Sequence, residues 1–189
     1  MPDLSVNIAP GHENGLLLRN PVIISSGTFG QDGYGSHMPP GVDFQRLGGV
    51  VAKTTTIQPR LGNPTPRIAH ARSWTINSIG LQNPGIEAVL REQAPRWAGW
   101  QVPVILSIAG ERIDEYRDLA AAIEGTPGIA AIEINVSCPN VEGGLDFGQS
   151  SDFTGEAVSA VVASTQLPVI TKLSPNVTDI VAIANAAAE

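Results

Sequence analysis

The sequence predicts an α/β protein built on a parallel sheet, and two patterns carry that prediction. Five short apolar runs of the fully buried type recur along the chain, and segments with helical spacing of apolar residues lie between or after them. Strands covered on both faces read as continuous apolar runs, and helices alternating with them supply the cover. Repeat spacings of roughly 25 to 50 residues fit βα units, some carrying long inserted loops.

The elements follow in order. Leu4-Ser5-Val6-Asn7-Ile8 alternates with period two, and Leu16-Leu17-Leu18 follows a turn-rich link from Pro10 to Gly15, so the pair reads as an N-terminal β-hairpin. The five buried runs are Pro21 to Ser26, Gly49 to Thr54, Val102 to Ile108, Ile129 to Val136 and Leu167 to Leu173. Pro21, Pro103 and Pro168 stand at or near strand starts, where a missing N–H is tolerated. Helical spacing is shown by Ile86, Val89, Leu90 and Trp97. It is clearer for Ile113, Tyr116, Leu119, Ala120 and Ile123, with Asp114 and Glu115 in the favourable first turn. Val158, Val161 and Val162 mark a third helix, and Ile180, Ile183, Ala184 and Ala187 a fourth. Gly30 to Gly41 reads as loop; Thr54 to Asn83 does too, with some added strand.

An open doubly wound sheet and a (β/α)8 barrel both satisfy this pattern. No G-x-G-x-x-G sequence joins the first strand to a helix, which weakens the dinucleotide-binding version. The final Ala186-Ala187-Ala188-Glu189 lies inside a helical pattern without a glycine or proline stop. A barrel typically needs about 250 residues. The expectation is therefore a truncated chain, with residues 1–189 forming one partial domain.

A net charge of −7 argues against a nucleic-acid or anionic-membrane surface as the main partner. The first residues lack a basic segment followed by an apolar one, and no apolar stretch approaches the ~20 residues of a membrane span. One cysteine fits a reducing compartment. A soluble, cytoplasmic protein is expected.

Nine of the eleven basic residues are arginine, and the only lysines, Lys53 and Lys172, both lie at the ends of strand-like runs. The carboxyl ends of the five runs carry Ser26-Gly27, Lys53-Thr54, Ser107, Asn135 with Cys138, and Lys172. Ligands of parallel α/β folds bind at that end of the sheet. One polar residue there is usually a turn residue; two lone lysines there are harder to explain that way. A lysine ammonium is a compact cation that neutralises anionic groups. Asn77, Asn135 and Asn140 offer donor and acceptor together, Asn83 before Pro84 fits a turn, and Gly80 allows close backbone approach. These residues alone point to an anionic, amide-rich small molecule. Cys138 has no second cysteine for a disulfide or thiolate metal site, which leaves a reactive thiol or a small buried hydrophobe.

Five ordered motifs go further. Asn135-Val136-Ser137-Cys138-Pro139-Asn140 resembles the catalytic loop of class 1 dihydroorotate dehydrogenases. Lys53-Thr54-Thr55-Thr56, Gly62-Asn63-Pro64-Thr65-Pro66-Arg67 and Asn77-Ser78-Ile79-Gly80-Leu81-Gln82-Asn83-Pro84-Gly85 resemble further motifs of that family in the same order. Lys172-Leu173-Ser174-Pro175-Asn176-Val177-Thr178-Asp179-Ile180 is similar to the class 1B catalytic subunit in particular. The resemblance spans essentially the whole chain. Class 2 members use serine as the base, so Cys138 sets this sequence apart from them.

The resemblance implies an FMN-containing (β/α)8 TIM barrel, of which strands 1–5 are present behind the hairpin, that oxidises dihydroorotate to orotate in pyrimidine synthesis. It makes Cys138 the catalytic base at C5 while hydride passes from C6 to the flavin. Lys53, Asn77, Ser78, Ile79, Gly80, Leu81, Asn135 and Asn140 would bind substrate. Ser26, Gly27, Lys53, Thr54, Ser107, Asn135 and Lys172 would bind FMN, with Lys172 favouring the anionic reduced form. It implies a homodimer, joined in a heterotetramer by a subunit with FAD and a [2Fe-2S] cluster that passes electrons to NAD+. One cysteine cannot hold such a cluster here. Two departures stand out. Ser107 replaces an asparagine that commonly contacts FMN, and serine is shorter with fewer bonding groups. Strands 6–8, with the phosphate site, have no counterpart in these 189 residues. Two rival readings are a dihydropyrimidine dehydrogenase-like barrel and an inactive, cofactor-free fragment with exposed sheet edges. The Lys-Leu-Ser-Pro-Asn motif favours dihydroorotate over the first.

Overall fold

A computed structural model describes residues 2–36, 38–137 and 147–189. Its centre is a five-stranded parallel sheet of β3 (Ile23–Ile24), β4 (Gly49–Thr55), β7 (Val104–Ile108), β8 (Ala131–Asn135) and β9 (Val169–Lys172), in that spatial order. All five predicted runs are strands. β1 (Val6–Asn7) and β2 (Leu17–Leu18) pair antiparallel as the expected hairpin. The extra strand expected between Thr54 and Asn83 is a two-stranded ribbon of β5 (Ile68–His70) and β6 (Thr75–Asn77).

The strand order follows the chain without reversal, so the sheet has no switch point of the doubly wound kind. Side-chain alternation shows the same winding. Val50, Ala52, Val104, Leu106, Ile108, Ile132 and Ile134 pack in one cluster with the helices, including Val89, Trp97, Tyr116, Leu119, Ile123 and Val161. Val51, Ile105, Ala131 and Ile170 face the other way and pack with Leu16, Leu18 and Val6 of the hairpin. The helices thus cover one face, and the hairpin floors the other at the amino end of the strands.

The helices confirm the spacing argument with local exceptions. α3 (Ile113–Ile123) buries Tyr116, Leu119, Ala120 and Ile123 as its period predicts. The segment from Ile86 to Trp97 is helical, but a π-turn over Val89–Gln93 separates α1 (Ile86–Ala88) from α2 (Ala94–Trp97). Pro95 in the following turn has no N–H for a regular ladder, a usual setting for such a bulge. α4 (Ser151–Val162) starts before its apolar stripe because the Ser150 hydroxyl accepts from Phe153 N–H as a cap. Val162 and, in α5 (Ile180–Ala188), Ile180 belong to the apolar spacing that marks these helices, and both are exposed, at 54% and 44%. Among the described residues no helix is long and apolar enough to cross a membrane.

Candidate active site

The carboxyl half of the sheet's hairpin-side face is polar. Above the floor of Val51, Ile105 and Ala131 come Ser107 and Glu133, then Thr54, Asn135 and Lys172. Alternation puts Ser107 on this face beside Ile105, and Glu133 and Asn135 beside Ala131. Lys172 pairs with Asn135 in register.

β4 reaches this tier through a bulge. Ala52 pairs with Leu106 and Thr55 with Ile108, so Lys53 and Thr54 together oppose Ser107 alone. An unbroken strand would place Lys53 and Thr54 on opposite faces. With the extra residue, Thr54 joins the polar tier. Lys53 N–H lies beyond the last β3 pair and donates to Gly33 O at 2.9 Å.

The tier is one connected network. Thr54 Oγ1 lies 3.1 Å from Ser26 Oγ and 3.0 Å from Ser107 Oγ, and accepts from Asn135 Nδ2 at 3.3 Å. Asn135 Oδ1 accepts from Lys172 Nζ at 2.8 Å and from Ser137 N–H and Oγ at 3.2 and 2.8 Å. Lys172 Nζ also donates to Ser137 Oγ at 2.6 Å. Both of these hydrogen-bond partners of Lys172 are neutral groups. From the helix side, the buried Tyr116 hydroxyl donates to Asn135 O at 3.1 Å and holds the end of β8.

Lys53 borders a cavity of about 620 Å³, lined also by Gly27, Gly33, Arg60, Arg67 and Ile79. Its stem runs against the 27–33 segment; a Cβ on Gly33 would lie 2.7 Å from Lys53 Cβ. Gly80 (φ +73°) and Leu81 (φ +52°) both take left-handed backbone. A Cβ on Gly80 would meet Asn63, whose side-chain amide donates to the Ser78 carbonyl and hydroxyl. Asn77 and Ser78 are exposed and are not among the residues lining the cavity. Asn83 fulfils its turn role. It is buried, accepts from Thr56 and Gly85 N–H, and donates to Leu81 O. Cys138 and Asn140 lie outside the described residues.

The sequence reading passed over Glu133, which sits within an apolar run. Its signal was there: positions 131, 133 and 135 share one face, and that face turns polar at Asn135. Burial pushes the Glu133 carboxyl above its ordinary range, while a Ser107 hydrogen bond and the Lys172 charge pull it back.

A family model described as dihydroorotate dehydrogenase matches residues 11–189. The chain belongs to the dihydroorotate dehydrogenase family. It is 54% identical over 175 residues to the "Dihydroorotate dehydrogenase B (NAD(+)), catalytic subunit" of Desulforudis audaxviator, covering 92% of this chain and 56% of that one. The protein of the same name from Pelobacter propionicus is 44% identical over 189 residues, covering 100% and 60%. Among solved structures, a DHODH from Eimeria tenella in complex with ferulenol superposes with a TM-score of 0.76 at 22% identity, covering 99% of this chain and 57% of that one. That likeness shows the fold: the sheet forms the first five strands of a (β/α)8 barrel. The chain spans about three fifths of these relatives' length. Membership of the family implies a flavin.

Proposed function

We propose that the protein is the catalytic subunit of a class 1B dihydroorotate dehydrogenase, with FMN bound over the strand-end tier and dihydroorotate bound beside Lys53. The observation that supports it best is the single hydrogen-bonded network joining Ser26, Thr54, Ser107, Asn135 and Lys172 across five strands or strand ends. These were named from motifs far apart in the chain.

The donor set fits FMN. Hydroxyls, a carboxamide and an ammonium with only neutral hydrogen-bond partners among the described residues suit a planar, amide-rich, electron-accepting ring. Ser26, Gly27, Lys53, Thr54, Ser107, Asn135 and Lys172 would hold it, and it would supply the hydride acceptor. Lys172 would supply positive charge to the bound ring, which would favour an anionic reduced form electrostatically. Lys53 gives the substrate carboxylate a charged donor on a stem confined by Gly33. Ile79, Gly80 and Leu81 offer backbone to the pyrimidine amide groups, and Asn77, Ser78, Asn135 and Asn140 complete the substrate set. Cys138 takes the C5 proton. A free thiol with pKa of ~8.5 is a few per cent thiolate at neutral pH, so the step speeds up as pH rises. The separate electron-transfer subunit implied by the relatives' "catalytic subunit" names would hold FAD and a [2Fe-2S] cluster and reduce NAD+. A homodimer of catalytic subunits would form the core of the heterotetramer, in the cytoplasm.

Stopped-flow spectroscopy of the full-length protein tests the reading. Dihydroorotate should bleach the flavin band near 450 nm and dihydrouracil should not. A purified full-length protein without flavin, or one reduced only by dihydrouracil, refutes it.

A further inference from the structure

The ribbon of β5 and β6 lies open to solvent, with every residue from 68 to 78 exposed. A two-stranded ribbon alone in water is marginally stable and ordinarily packs on a neighbour. Its register sorts the side chains. Ala69 opposes Ile76, and Ala71 N–H donates to Trp74 O at 2.9 Å, so alternation puts Ala69, Ala71, Trp74 and Ile76 on one face. Trp74 is 57% exposed and Ile76 60%. An apolar face centred on a tryptophan has the composition of an interface core rather than of a free surface.

The distribution of charge indicates what covers it. Between Asp43 and Glu87 the sequence has five basic residues, Arg46, Lys53, Arg60, Arg67 and Arg72, and no acidic one. The remainder of the chain holds six basic residues against all eighteen acidic ones. Within the basic stretch, Lys53 borders the cavity, Arg60 pairs with Glu111, and Arg67 donates to Asn63 and Gln82. Arg72, in the turn of the ribbon, is exposed and has no hydrogen bond or ion pair among the described residues. An apolar face beside an unpaired cation matches a partner surface that is apolar at its centre and acidic at its edge. This chain itself carries acidic surface of that kind. Glu87, Asp152 and Glu156 are exposed and lie outside the ion pairs of the described residues.

We propose that the Trp74–Ile76 face of the ribbon docks on the acidic surface of a second copy of this chain, with Arg72 at its edge supplying the charge match. The proposal gives a surface to the homodimer of the functional reading and rests on that reading for the partner. Two copies of a chain with net charge −7 repel at long range, so the attraction has to be local. Burial of Trp74 and Ile76 supplies the affinity, and Arg72 selects an acidic surface over the partner's own basic ribbon. β6 runs through Asn77 toward Ile79 at the cavity, so a docked copy also steadies the strand that leads into the site.

Sedimentation equilibrium of the full-length protein tests the contact, for the native chain, Trp74→Ser, Ile76→Ser and Arg72→Glu. The native protein should be dimeric at micromolar concentration. Trp74→Ser and Ile76→Ser should each raise the dimer dissociation constant about tenfold or more. Arg72→Glu should do the same at low salt and return to within about threefold of native at about 0.5 M salt, where exposed charges are screened. A monomeric native protein, variants that dimerise as tightly as the native chain, or an Arg72→Glu loss that salt does not reduce overturns the proposal. So does loss of binding to a separate electron-transfer subunit by variants whose own dimer is intact. Failure of dihydroorotate to reduce the flavin is a different result, and it refutes the functional reading itself.

Discussion

Replacing Gly33 by alanine separates the role of the 27–33 segment from ordinary loop chemistry. Gly33 sits at φ +80°, where a side chain costs roughly 1–2 kcal/mol in backbone strain alone. The added Cβ would also stand 2.7 Å from Lys53 Cβ and 3.2 Å from Lys53 Cδ, inside van der Waals contact. Overpacking of that kind costs about 1–3 kcal/mol more, unless Lys53 moves. Gly41 supplies the control: its φ is +82°, yet nothing lies within 4 Å of a Cβ there. In urea unfolding of the full-length protein, Gly41→Ala should lose only the backbone part. Gly33→Ala should lose about 1–3 kcal/mol beyond it, or shed that strain by displacing Lys53. Orotate titration of the flavin spectrum distinguishes these outcomes, since a displaced ammonium weakens orotate binding by about tenfold or more. Equal stability of the two variants together with native orotate affinity in Gly33→Ala would refute the clamp on Lys53.

Tyr34 and Cys138 give two further outcomes. Burial pushes the Tyr34 phenol up to about 12 from an ordinary 10, against a hydrogen bond with Thr55 that lowers it. Because the folded value is the higher, its stabilisation is complete below pH 10 and fades as pH rises toward 12. It amounts to about 2–3 kcal/mol. Ultraviolet titration should show this tyrosine ionising together with unfolding, and Tyr34→Phe should remove that alkaline dependence; an independent titration near pH 10 contradicts the burial argument. Cys138→Ala should slow flavin reduction by dihydroorotate by about 10²–10⁴-fold, with Cys138→Ser losing less, whereas near-native rates in the alanine variant exclude the thiol as base.

The parts of the fold written as periodicity were legible, and those written as exceptions to it were not. Five buried runs gave five strands, and Tyr116, Leu119, Ala120 and Ile123 gave the buried stripe of α3, because burial and period are local properties. Winding direction was not local. It emerged from the strand order and from helices packing on a single face. The π-turn before Pro95 and the bulge at Lys53-Thr54 each add a residue that no period announces. Polar residues at the strand ends were visible as departures from apolar runs. Glu133 was hidden because a single charge inside such a run looks like noise until alternation places it on the face of Asn135.

The bulge is the point at which strand geometry and chemistry meet. Pleating alone allows one of two adjacent residues to face a ligand. Here Thr54 must join Ser107 and Asn135 in the network while its neighbour Lys53 serves the adjoining cavity. Inserting one residue between Ala52 and Thr55 meets both demands and returns Thr55 to the helix side, where its hydroxyl meets Tyr34. Beyond the last β3 pair, Ile24 with Val50, the Lys53 N–H needs an acceptor, and the Gly33 carbonyl provides it. That bond brings the two backbones too close for a side chain at residue 33. The left-handed glycine and the placement of the lysine are therefore linked through that bond. A relative that restored an unbroken ladder at this strand would have to give up either the threonine in the network or the lysine at the cavity.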